Sequence, residues 1–110
     1  MSELSEASRK VVYKLLDGDD QEREDALEEL PTLPDKKSVA DFLVERLARE
    51  QDLRTRSWIV SGLAAINEPD TVDAVAARLD PDVEEFEWTR YFAAIGLARM
   101  LKKPKTIAAP

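Results

Sequence analysis

The chain contains no cysteine and no histidine. The first absence excludes a disulfide framework, a thiolate zinc site and thiol chemistry. The second removes the commonest metal ligand and the commonest general base, leaving only oxygen-ligand cation sites open. Glycine is scarce, at 3 of 110 residues, and aromatic residues make up 6%. No apolar run approaches the roughly 20 residues needed to cross a bilayer. The opening MSELSEASRK lacks a basic start followed by an apolar core, so no secretory signal and a cytoplasmic location are expected. Positive charge is in deficit: 16 Lys and Arg stand against 23 Asp and Glu, for a formal net charge of −7. Phosphate backbones are held mainly by Lys and Arg, so this balance has the wrong sign for nucleic acid or anionic lipid.

What the chain does have is a soluble globular composition, 44% hydrophobic and 35% charged, and enough length for one domain over residues 1–110. It also repeats itself. Residues 56–66 read RSWIVSGLAAI, with Ile59, Gly62, Leu63 and Ile66 at helical spacing from Arg56. Residues 90–100 read RYFAAIGLARM and put Ala93, Gly96, Leu97 and Met100 at the same offsets; 90 − 56 gives a period of 34. Residues 23–33 read REDALEELPTL, with Ala26, Leu30 and Leu33 in register, and 56 − 23 gives 33. A near-constant period in this range marks a helical array whose units bury their apolar faces against their neighbours.

Taken in order, residues 3–16 place Leu4, Ala7, Val11, Val12, Leu15 and Leu16 on one helical face. Gly18 ends that helix, and Asp19 with Glu22 caps the next. Residues 20–30 form a short acidic helix exposing Glu22, Glu24, Asp25, Glu28 and Glu29. Adjacent carboxylates on a helix diverge, unlike the alternating ligands of a calcium loop, so this is a solvated outer face. After Pro31 and Pro34, a helix started by Asp35 or Ser38 covers residues 36–50. It packs Val39, Phe42, Leu43 and Leu47, and Glu45 can pair with Arg49. The unit 52–66 is broken by Asn67-Glu68-Pro69. Asp70 then caps a helix over 71–79 with Val72, Val75, Ala76 and Leu79 buried. The last helix is expected over 82–101, with Trp88, Phe92 and Ile95 forming a second apolar side beside Ala93 and Leu97. That side wants cover, from a second chain or from a partner. Pro104-Lys105-Thr106-Ile107 resembles the helix start Pro69-Asp70-Thr71-Val72 but stops at Pro110. The chain thus reads either as a truncated piece of a longer array or as one whose tail folds back as a cap.

The three arginine-led segments resemble the HEAT family, in particular the short bacterial and archaeal HEAT-like repeats related to those of phycobilisome lyases. That pattern runs from Arg to Ala three later, a small residue at six, Leu at seven and Ile at ten. Arg56, Gly62, Leu63 and Ile66 fit it, as do Arg90, Ala93, Gly96, Leu97 and Met100, while Arg23, Ala26, Leu30 and Leu33 fit in part. The resemblance covers residues 12 to about 107. It implies an all-α, right-handed α-solenoid of antiparallel helix pairs, with about three repeats, five helices and a partial sixth. It also implies that Arg23, Arg56 and Arg90 tie neighbouring repeats together. Glycine inside a helix costs about 1 kcal/mol relative to alanine, so Gly62 and Gly96 point to close approach of another helix. Pro31, the extra residues before Arg90 and the incomplete last pair depart from the pattern.

The function expected is a non-catalytic scaffold that binds another protein through the second helices of successive pairs. Those are taken to present Lys10 and Lys14, then Asp41, Glu45 and Arg49, then Asp73 and Arg78, whose mixed signs suit a protein partner. Some relatives attach bilins, and a hydroxylase subgroup uses His-Glu metal pairs. With no histidine and no nucleophile paired to a base, no enzyme, cofactor or metal is expected here. The alternatives are a non-catalytic relative of bilin lyases and a nucleic-acid-binding HEAT-like module, since some HEAT-like proteins are DNA glycosylases with a basic groove. Trp58, Trp88 and Tyr91 have faces for base stacking, but their spacing assigns them to packing. The clustered cations, Lys36–Lys37 and Lys102, Lys103 and Lys105, fall at turns or near the end, where helix dipoles favour them.

Overall fold

The computed structural model describes residues 4–102. They form α1 (Glu6–Asp17), α2 (Asp20–Glu29), a 3-10 turn (Leu30–Thr32), α3 (Lys36–Arg49), α4 (Leu53–Ile66), α5 (Pro69–Ala77) and α6 (Glu87–Lys102), with no strand among them. Several starts are fixed by side chains that satisfy the orphan N–H groups of the first turn. Ser5 accepts from the Ser8 N–H. Asp19 and Glu22 form a reciprocal capping box. Asp52 accepts the Thr55 N–H at 2.9 Å and its hydroxyl at 2.8 Å. Gly18 ends α1 in an extended conformation, φ −77°. Glycine is needed there for space, because a Cβ would stand 2.5 Å from the Lys14 carbonyl oxygen and 2.7 Å from Glu22 Cβ. Asn67 ends α4 in the left-handed region at φ 53°, which asparagine tolerates better than most residues.

The core gathers around α4, which packs against α1, α2, α3, α5 and α6. Its Ile59, Val60, Leu63 and Ile66 are buried together with Leu15 of α1, Leu43 of α3 and Val75 of α5. Both helix-interior glycines lie at crossings. A Cβ on Gly62 would approach Leu15 Cδ2 to 2.8 Å, and one on Gly96 would approach Ala64 Cβ to 2.8 Å. The sixth position of each arginine-led segment is thus where α4 meets α1 and where α6 meets α4. In the first segment that position is Glu29, which instead pairs with Lys14 at 3.0 Å and joins α2 to α1. The radius of gyration, 13.4 Å, is close to the roughly 13 Å of a compact domain of this length.

Several details differ from the expectations. Among the described residues there are six α-helices, where five and a partial sixth were expected, and α6 begins at Glu87 instead of residue 82. The intervening residues close a turn, with the Val83 and Glu84 N–H groups donating to the Asp80 carbonyl at 3.0 and 2.8 Å. The N-cap of α5 is Glu68, not Asp70: its N–H donates to Thr71 Oγ1 at 2.9 Å, and the Thr71 hydroxyl donates to its carbonyl at 2.7 Å. Asp70 pairs with Lys37 across the surface at 2.9 Å instead. On α3 the i,i+4 ion pair is Arg46–Glu50 at 2.9 Å, not Glu45–Arg49. Glu50 is drawn into the corner because it also accepts the Asp52 N–H at 3.1 Å. Ser8 is buried where Ala7 was expected, and Phe42 and Leu79 are exposed. The expectations placed on Lys103 and Lys105, on the Pro104 to Ile107 stretch and on the tail lie outside the described residues.

Candidate functional site

The three aligned arginines each donate to the backbone just before their own helix. Arg23 Nη2 reaches the Leu16 carbonyl at 3.1 Å, and Arg90 Nη1 reaches that of Glu84 at 2.7 Å. Arg56 Nη1 reaches those of Leu47 and Glu50 at 2.8 and 2.6 Å. These carbonyls belong to helix ends or corners, which have no intrahelical partner, so each arginine fastens a corner to the helix that follows it.

Arg56 carries more than its two counterparts. Its Nε donates to Glu84 Oε2 at 3.2 Å and its Nη2 donates to Glu84 Oε1, making a bidentate pair that is almost wholly buried. Arg78 Nη1 adds a contact to Oε1 at 3.4 Å, the Phe86 N–H donates to Oε2 at 3.2 Å, and the Phe86 ring lies 5.0 Å from the Arg56 guanidinium. Glu84 therefore joins α4, the end of α5 and the start of α6, and only 1% of its surface is exposed. Reading residues 82–101 as one helix missed this role. The usable signals were Pro81 between two aspartates and the lone Arg56 at the start of an apolar segment, which needs a carboxylate once buried.

By fixing where α6 begins, the Glu84 corner also sets the position of its aromatic residues. Trp88 and Tyr91 are 59% and 56% exposed, so they stand on the surface and not in the packing pattern. Trp88, Tyr91 and Phe92 nevertheless pack on one another at centroid distances of 5.5 to 5.9 Å. An apolar cleft of about 490 Å³ opens between α4 and α6, lined by Leu53, Arg54, Ser57, Trp58, Ser61, Trp88 and Phe92. Trp58 is half-buried, with the Arg23 guanidinium 5.8 Å from its ring. Arg54 is engaged by Asp20.

The six residues expected to meet a partner lie elsewhere. Lys14 on α1 is half-buried and paired with Glu29, while Asp41, Glu45 and Arg49 are exposed on α3. Asp73 is exposed on α5, and Arg78 is half-buried against Glu84. Lys10 is exposed on α1. Asp41 and Glu45 come together with Arg9, Tyr13 and Phe42 in a more polar hollow between α1 and α3, which Asp73 and Arg78 do not join. α1 packs on α2, α3 on α4, and α5 on both α4 and α6, whereas α3 reaches back to the first pair through the 3-10 turn. The helices α2, α4 and α6 carry the arginines, and α4 and α6 line the cleft.

Among the described residues four titrating groups are shifted, each by a hydrogen-bonded neighbour. The Thr55 N–H, then its hydroxyl, holds the Asp52 carboxyl below its ordinary 3.8. The Ser5 N–H, then the Ser8 hydroxyl, does the same for Asp35. Donating to the Glu29 and Asp70 carboxylates raises Lys14 and Lys37 above 10.5. None of the four lines the aromatic cleft. Among the described residues no three His, Cys, Asp or Glu side chains gather as metal ligands, and no helix is long and apolar enough to cross a membrane. Chemically, the cleft offers apolar contact and shape. No protein-family model, curated protein or solved structure matches the chain.

Proposed function

We propose that the chain is a HEAT-like, right-handed α-solenoid of antiparallel helix pairs, a non-catalytic scaffold that holds another protein on the face formed by α2, α4 and α6. The observation that carries this reading is the uncovered aromatic cleft between α4 and α6. Trp88 exposes more than half its surface beside Phe92 and Trp58, and aromatic side chains seated at a hollow are the usual anchors of protein interfaces. The matching offsets of Arg23, Arg56 and Arg90, and of Gly62 and Gly96, support the repeat reading. Nucleic acid is the weaker alternative. A single-strand platform pairs stacking aromatics with a basic groove, whereas here Glu87 adjoins Trp88 and Tyr91, and Arg54 is occupied by Asp20.

The test is a pairwise capture from the native cell with the parent chain, a Trp88→Ser variant and an Asp41→Lys/Glu45→Lys variant, followed by mass spectrometry. Proteins retained by the parent and by the α3 variant, but lost with Trp88→Ser, are the expected result. Loss with the α3 variant alone moves the docking face to α1 and α3. Low-salt-dependent recovery of nucleic acid overturns the proposal.

A further inference from the structure

The aromatic cleft is one end of a longer channel. Past Trp58, Ser61 and Phe92, which line both parts, it opens into a second hollow of about 480 Å³. There α4 contributes Ala64 and Ala65, α6 contributes Ile95 and Arg99, and α2 contributes Glu24 and Glu28 as the opposite wall. The channel follows α4 from Leu53 to Asn67, about 21 Å at 1.5 Å per residue, or roughly four turns of helix. Small residues (Ser57, Ser61, Ala64, Ala65) line α4 along it, so a rounded rod can lie against that helix with Trp58, Trp88 and Phe92 reaching up its sides.

Charge selects the rod. Glu24 and Glu28 are exposed, stand one turn apart on α2, and form no ion pair among the described residues. Two cations beside the channel are already engaged: Arg54 by Asp20, and Arg23 by the Leu16 carbonyl and the Trp58 ring. Arg99 of α6 lines the second hollow as well and is the remaining cation of the channel. The net charge of −7 adds a long-range attraction for a cationic partner.

We infer that the channel takes a basic amphipathic helix of about four turns, its apolar stripe on Trp58, Trp88 and Phe92 and its Lys or Arg edge along Glu24 and Glu28. This rests on the α2, α4 and α6 face being the docking surface, and it adds the chemistry of the partner. The helix-in-groove mode needs apolar anchors at i, i+3, i+4 and i+7, a span of about two turns that falls within the length of the channel.

The probe is a synthetic peptide of about 15 residues with leucine at those positions and lysine elsewhere, set against the same peptide with glutamate for lysine. Binding is read by tryptophan fluorescence and by amide chemical shifts of the full chain. The lysine peptide is expected to bind at least about tenfold tighter than the glutamate peptide, with shifts centred on Ser61, Trp58 and Phe92. Glu24→Lys/Glu28→Lys is expected to weaken it about tenfold. Asp41→Lys/Glu45→Lys alters net charge by the same amount and is expected to weaken it no more than about threefold. Trp88→Ala, which leaves all charges in place, is expected to lose about tenfold. Circular dichroism confirms that each variant is folded.

Equal losses from the two charge variants mean general attraction and overturn the inference. Equal binding of both peptides in the channel overturns the basic-helix claim and leaves the docking face standing. Shifts confined to α1 and α3 overturn both. Binding by neither peptide ends the basic-helix claim alone, and a dimer dispersed by Trp88→Ala assigns the channel to a second copy of this chain.

Discussion

Replacing Glu84 by alanine is expected to destabilise the fold by about 3–5 kcal/mol, the usual result of removing one member of a buried ion pair. The loss has identifiable parts. Arg56 and Arg78 keep their charges inside the protein without the carboxylate, the Phe86 N–H loses its acceptor, and the turn before α6 loses its anchor. Glu84→Gln keeps the shape and one acceptor oxygen, so about half that loss is expected, in line with hydrogen bonds to charged groups of about 1.5–3 kcal/mol each. Urea unfolding followed by circular dichroism measures both. A Glu84→Ala loss under about 1 kcal/mol would mean that the carboxylate lies in water and that the corner described here does not form. Because total stability in domains of this size is about 5–15 kcal/mol, the alanine variant should approach the limit of folding at physiological temperature.

Gly62→Leu is the second large effect, at about 3 kcal/mol or more, the upper end of what overpacking costs. The added Cβ alone meets Leu15 Cδ2 at 2.8 Å and Leu30 Cδ1 at 3.2 Å, and both leucines are fully buried, so the rest of a leucine side chain has nowhere to go. Gly62→Ala is milder. The two obstructing atoms are the ends of flexible side chains, and alanine recovers up to about 1 kcal/mol of helix propensity. Gly96→Ala is expected to be worse than Gly62→Ala. Its Cβ meets Ala64 Cβ, which no rotamer change can move, so α6 must back away from α4. A melting temperature for Gly62→Leu within a degree or two of the parent, or the reverse order for the two alanine variants, contradicts the placement of these crossings.

The helices were readable because each buries a stripe against its neighbours, and periodicity records that directly. Leu15, Leu43, Ile59, Leu63, Val75 and Ala93 are buried at the positions their spacing assigns. The glycine crossings were readable for a related reason: only a spatial constraint makes glycine recur at one offset inside two helices. The last corner was readable only in part: Pro81 between two aspartates marks a turn, but not how far it runs. In residues 82–86 the polar and apolar order fits a helix as well as a turn, and the difference lies in Arg56, which is 28 positions away from Glu84. Trp88 was legible only as part of an apolar side, with Phe92 and Ile95, in want of cover, and the exposure of Tyr91 was not legible. Moving the start of α6 to Glu87 leaves the first turn of that helix without a neighbour over its aromatic side. The expected binding residues on α1, α3 and α5 followed from pairing each arginine-led helix with the one after it, and the corner arginines favour the reverse, since each grips the end of the preceding helix or turn.

The most direct test of this repeat packing is a nuclear Overhauser experiment on the isolated chain, read at the two glycines. Strong cross-peaks from Gly62 Hα to a Leu15 methyl and from Gly96 Hα to the Ala64 methyl are the predicted result, because the same offset brings each helix against its neighbour. Absence of both, with Gly62 or Gly96 instead close to strands or to water, would contradict the stacked-helix account and the docking face built on it.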